Sequence, residues 1–135
     1  MAAEGQLHVL DSSVFVAFYH AGDSCHQEAV ETLKRLDNAT LLVHPYVIQE
    51  VVTVLAYRIG KKVADDFLRD VLSSTNVRLV NPDLKAESEF FLRIKDRLSF
   101  TDSSLIVLAQ QTKAELVTFD RQMETVFKKV GRQKG

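Results

Sequence analysis

The stretch LHVLDSSVFVAF (residues 7–18) decides the reading of the fold. A short apolar run from Leu7 to Leu10 stops at Asp11, and Ser12 and Ser13 then offer N-caps to an apolar stretch from Val14 to Ala21. This reads as strand, acidic residue, helix. A carboxylate set against a core is desolvated, and it must find a hydrogen-bond donor, a cation or a metal ion because an unpaired buried charge is costly.

Working outward from that stretch, Ala29, Val30, Leu33 and Leu36 give a second helix its apolar stripe, and Leu41 to Val43 is a second strand. Pro45 suits the first turn of a helix over 46–59 that Gly60 ends, and a further helix spans roughly 61–72. Val77 to Val80 is strand-like, and Phe90, Phe91, Ile94 and Leu98 predict a helix over 83–98. Thr101 or Asp102 can cap a helix whose 105–109 segment is apolar all round and so belongs between other elements. Glu115 to Phe119 reads as the last strand, 121–129 as a terminal helix, and 131–135 as a flexible tail after a single domain over 1–130. Strands alternating with helices argue an α/β domain with a mostly parallel sheet.

A 135-residue chain can bury a core without disulfides or a structural metal. No run approaches the length a spanning helix needs, and the opening MAAEGQLHVLD (residues 1–11) lacks the features of a secretory leader, so a cytoplasmic protein with no membrane partner is expected. The lone Cys25 reads as a small apolar filler, and His8, His20, His26 and His44 show no ligand spacing. Phosphate-loop, dinucleotide and serine-hydrolase motifs do not occur. The net charge of −1 excludes a broadly basic nucleic-acid binder, so RNA or DNA must meet a local patch.

Three further acidic residues occupy places comparable to Asp11. Asp120 follows the last strand, Glu50 borders the apolar face of its helix, and Asp102 stands one turn before Leu105 and Ile106. Taken singly, Asp11 and Asp102 could be caps, Asp120 a turn residue and Glu50 a solvated border residue. Ligands of open parallel sheets gather beyond the carboxyl ends of the strands, so Asp11 and Asp120 share a predicted rim. If all four converge, their repulsion calls for a divalent cation. An all-oxygen donor set selects Mg²⁺ or Mn²⁺, and its natural chemistry is phosphodiester hydrolysis.

In this order, LDSSVFVAF (residues 10–18), PYVIQEVVTVL (45–55), LSFTDSSLIVLA (98–109) and ELVTFDRQM (115–123) resemble the PIN-domain family, most closely its compact VapC-type toxins. The resemblance implies a PIN-like three-layer fold with four to five short strands, the last of them short or missing here. It implies a metal-dependent endoribonuclease whose acidic pocket is Asp11, Glu50, Asp102 and Asp120, with Ser12, Ser13 and Thr118 as supporting hydroxyls. Ser103 stands where the family often has alanine. An RNA substrate, a homodimer and a small antitoxin protein are the implied partners, and Arg58, Arg93 and Arg97 are candidates to steer the phosphate backbone. A standalone RNA-processing nuclease, a phosphoaspartate enzyme using Asp11, and a degenerate binding scaffold are the competing readings.

Overall fold

The apolar run before Asp11 folds as strand β1 (Leu7–Leu10) in the computed structural model, which describes residues 6–134 of the chain. Val9 and Leu10 are wholly buried, and β1 sits inside the sheet with a parallel neighbour on either side. Strand β2 (Thr40–Val43) pairs with one edge of β1, β3 (Val77–Leu79) pairs with β2, and β4 (Glu115–Val117) pairs with the other edge of β1. The order β3-β2-β1-β4 is parallel throughout. A parallel sheet must be covered on its faces, which is why three successive residues of each central strand, His8 included, are buried without alternation.

Seven helices among the described residues flank the sheet: α1 (Ser12–Tyr19), α2 (His26–Arg35), α3 (Pro45–Arg58), α4 (Lys61–Ser73), α5 (Leu84–Arg93), α6 (Phe100–Thr112) and α7 (Arg121–Lys134). Helix α3 buries Val47, Val51 and Leu55, a stripe at helical spacing, and packs on α4 through a chain reversal at Gly60, whose φ of 146° only glycine adopts freely. Helix α6 is the buried one, with residues 103–109 all shielded, as its apolar composition predicts. Each Leu, Ile or Phe removed from water in this core contributes about 1.5–3 kcal/mol.

Strands β3 and β4 end at Leu79 and Val117, short of the expected Val80 and Phe119, α1 is Ser12–Tyr19 rather than 14–21, and the larger differences from the sequence reading concern α5, α6 and α7. Helix α5 ends at Arg93 instead of Leu98, because residues 94–99 form the turn into α6 and Ile94 is already extended. Only Phe90 of the expected stripe is buried on α5, whereas Phe91 is 39% exposed. The cap of α6 is Ser99, not Thr101 or Asp102. Helix α7 runs on to Lys134, past the Lys129 where the sequence reading ends it, and Gly135 lies outside the described residues. No strand follows α7 among the described residues, so the sheet there has four strands.

Candidate functional site

The strand order reverses at β1: β2 and β3 extend the sheet on one side and β4 on the other. The crevice beyond the carboxyl ends of β1 and β4 is therefore the switch point at which parallel sheets bind ligands. Asp11 follows β1 directly, and Asp120 follows β4 after Thr118 and Phe119. A cleft of about 520 Å³ opens there, and Asp11, Glu50, Asp102 and Asp120 all line it.

Asp11 is 5% exposed and occupies the N-cap position of α1 without capping it. Its carboxylate instead accepts hydrogen bonds from Ser13 Oγ and Thr118 Oγ1, each 2.8 Å from Oδ2. The cap reading of Asp11 thus gives way to a carboxylate held by two hydroxyls. Ser13 Oγ also accepts the Phe119 N–H at 3.1 Å, and Thr118 Oγ1 accepts the Asp120 N–H at 3.0 Å, so both hydroxyls lock the loop after β4.

Glu50 reaches the cleft from the middle of α3, where Glu50, Val54 and Arg58 share one helical face at spacings of four. Ser12 Oγ donates to Glu50 Oε1 at 2.7 Å, which fixes an otherwise exposed side chain. Asp120 caps α7: its Oδ1 accepts the N–H groups of Gln122 and Met123 at 2.9 and 3.2 Å. One carboxylate oxygen is thereby aligned and the other is left for the cleft.

Asp102 is the third residue of α6, within a capping box. Its N–H donates to Ser99 Oγ at 3.0 Å, while its Oδ2 accepts the Ser99 N–H at 3.4 Å. Burial, then the charge of Asp11, and less strongly that of Asp120 hold the Asp102 carboxyl above the ordinary carboxylate range; the Ser99 hydrogen bonds oppose them. Asp102 therefore lies within electrostatic reach of carboxylates from two other segments. Ser103, wholly buried, donates to the Ser99 carbonyl at 3.2 Å, so its hydroxyl is satisfied within the helix and stays out of the cleft.

Of the three arginines proposed as phosphate guides, Arg58 lines the acidic cleft. Arg93 lies over the Phe90 ring at 5.4 Å and lines a separate depression with Lys129, and Arg97 is not part of the cleft lining. Cys25 is half-buried and lines the cleft beside Asp23 rather than filling a core gap. Ser99 was missed by the sequence reading, although the S-x-x-D spacing of Ser99 and Asp102 is a capping-box signature.

Among the described residues no three His, Cys, Asp or Glu side chains make a ready-made metal cluster. Five carboxylates line the cleft, Asp23 joining the four expected from the sequence, and with the neighbouring hydroxyls they form an open set dominated by oxygen donors. That set suits a hard divalent cation which keeps part of its own water shell; no imidazole lines the cleft, and Cys25 is its lone sulfur, without the clustered thiolates or imidazoles that zinc or copper would select.

A model of the PIN domain matches residues 8–132. The fold is similar to the crystal structure of Mycobacterium tuberculosis VapC20, a toxin that cleaves the sarcin-ricin loop. The TM-score is 0.76 at 24% identity, over 88% of this chain and 94% of that one. It is also similar to VapBC2 from Rickettsia felis bound to a DNA fragment from their promoter (TM-score 0.64, 16% identity, 85% and 88% of the two chains). FitAcB from Neisseria gonorrhoeae gives a TM-score of 0.63 at 14% identity over 90% and 93%. A sequence search among curated proteins finds no match. With all but the ends of the chain matched and the acidic residues gathered at the switch point of a parallel sheet, the chain belongs to the PIN-domain family.

Proposed function

We propose that this chain is a divalent-metal-dependent endoribonuclease, the toxin of a toxin–antitoxin pair. The observation that carries the reading is the convergence of Asp11, Glu50, Asp102 and Asp120 on one cleft, where burial first, and then the charges of Asp11 and Asp120, raise the proton affinity of Asp102. Membership of the PIN-domain family and the similarity to toxin structures support it.

Asp11, Asp102 and Asp120 are assigned to hold Mg²⁺ or Mn²⁺, and Glu50 to hold the ion or orient a water. When bound, the ion supplies Lewis-acid stabilisation of phosphoryl charge and an acidified water. Ser13 and Thr118 keep Asp11 in one orientation, and Ser12 does the same for Glu50, so the carboxylates need not reorganise as charge develops. Arg58, at the cleft wall, attracts the RNA backbone. Attack of water on phosphorus breaks the bond to the 3′ oxygen, which takes up a proton; the products carry 5′-phosphate and 3′-hydroxyl ends.

An antitoxin that covers this cleft, a homodimer and a cytoplasmic setting complete the proposal. No helix among the described residues is long and apolar enough to cross a membrane. Metal binding is tested by melting the protein with increasing Mn²⁺. The expected result is a rise in Tm that Asp11→Asn removes; the proposal fails if Mn²⁺ leaves the wild-type melt unchanged and RNA stays intact.

A further inference from the structure

Strand β4 is an open edge of the sheet, paired with β1 alone. Its Val117 carbonyl accepts the Asp11 N–H at 3.0 Å, so Val117 directs its main-chain groups inward. Alternate residues of a parallel strand bond to opposite sides, so Leu116 and Thr118 turn their N–H and C=O outward. Among the described residues nothing pairs with those groups.

A groove of about 520 Å³ runs along this edge and shares with the acidic cleft the residue Phe119. Leu116, Val117 and Phe119 give it an apolar floor, while Glu28, Glu31 and Arg35 of α2 form one wall and Glu124 of α7 another. With Glu115 the lining holds four carboxylates against one guanidinium. Glu124 is bridged by Lys128 at 2.7 Å, whereas Glu28 and Glu115 are exposed and carry no cationic partner. His8 of β1, 7% exposed, also lines the groove, and its Nδ1 has no hydrogen-bond partner. A buried polar atom left unpaired is unfavourable, and one that lines a groove is satisfied by a polar group that enters it.

We infer that the β4 edge docks an extended, lysine- or arginine-rich polypeptide segment, which adds to the sheet as a further strand. Main-chain pairing with Leu116 and Thr118 supplies affinity, and the glutamates on the walls select basic side chains. The same carboxylates repel RNA and also repel the β4 edge of a second copy, which leaves a basic partner segment as the complementary occupant. This surface does not depend on the nuclease reading, since it contains none of the carboxylates that line the acidic cleft.

The test uses a labelled octapeptide of alternating lysine and valine, read by fluorescence anisotropy at low salt and by amide chemical shifts of the full chain. The expected result is binding that perturbs Leu116 and Thr118 and weakens about tenfold or more in Glu28→Lys with Glu115→Lys, both exposed positions that tolerate reversal. N-methylation of alternate peptide nitrogens should abolish it. Equal binding of a glutamate–valine peptide, indifference to N-methylation, or shifts confined to the Asp11 cleft would each overturn the inference, as would displacement of the peptide by an oligouridylate.

Discussion

Thr118 Oγ1 donates a 2.8 Å hydrogen bond to Asp11 Oδ2, tying the end of β4 to the end of β1 across 107 positions of sequence. The same oxygen accepts the Asp120 N–H, so one hydroxyl orients two of the cleft carboxylates. Thr118→Val keeps the branched shape and deletes both functions. Folding should be retained while single-turnover RNA cleavage falls roughly 10–100-fold, the usual effect of removing a group that orients a metal ligand. Cleavage at the wild-type rate would show that Asp11 and Asp120 are held by other means.

Asp102 gives a prediction about stability. Its native carboxyl keeps a proton to higher pH than the unfolded value of 3.8, so the native state loses stability as pH rises from that value through the raised one. At neutral pH and without metal, ionised Asp102 therefore opposes folding, by at most about 1 kcal/mol because solvent screens a half-exposed group. Asp102→Asn should melt a few degrees higher than wild type at pH 7 in chelator, and the gain should vanish near pH 3, where both are neutral. Calorimetry at the two pH values decides; a variant that melts lower at neutral pH refutes the repulsion.

Arg58 lines the acidic cleft yet forms no ion pair with its carboxylates among the described residues. An arginine left uncompensated at such a wall is available to an incoming phosphate. Arg58→Ala should raise KM for RNA about tenfold with a smaller change in kcat, and Arg58→Lys should recover part of the loss. A pure kcat defect would assign Arg58 to the chemical step instead.

The buried pair of His44 and Glu87 lies outside the cleft and should act on stability alone. His44 Nδ1 accepts the Tyr46 N–H at 3.1 Å, so Nε2 carries the ring proton and donates to Glu87 Oε2 at 2.9 Å; that oxygen also accepts the Asp83 N–H. Glu87→Ala strands a buried ring N–H and should cost about 3 kcal/mol in urea unfolding. Adding His44→Phe should cost less than the sum of the two single changes. RNA cleavage by the folded fraction should be unaffected.

The alternation of apolar runs with acidic helix starts made the parallel sheet legible, because central strands and buried helices must be apolar whatever their surroundings. Asp11 and Asp120 were placed on one rim by the same logic, since residues that follow parallel strands emerge on one side. The end of α5 was not legible: Ile94 and Leu98 continue its apolar spacing, but the chain needs residues 94–99 to turn and to present Ser99 as a cap. The pairing of Ser12 with Glu50 was equally hidden, as it depends on how α1 packs against α3 and not on local sequence. Charge alone groups Arg93 and Arg97 with Arg58, whereas the i, i+3 spacing within α5 lays Arg93 over Phe90 instead.

The most direct measurement is cleavage of an end-labelled, structured RNA by the purified chain with Mn²⁺, beside chelator and Asp102→Asn. The account predicts metal-dependent cutting that leaves 5′-phosphate ends and is lost in both controls while Asp102→Asn remains folded. Cutting that persists in chelator, or at an unchanged rate in Asp102→Asn, would contradict it.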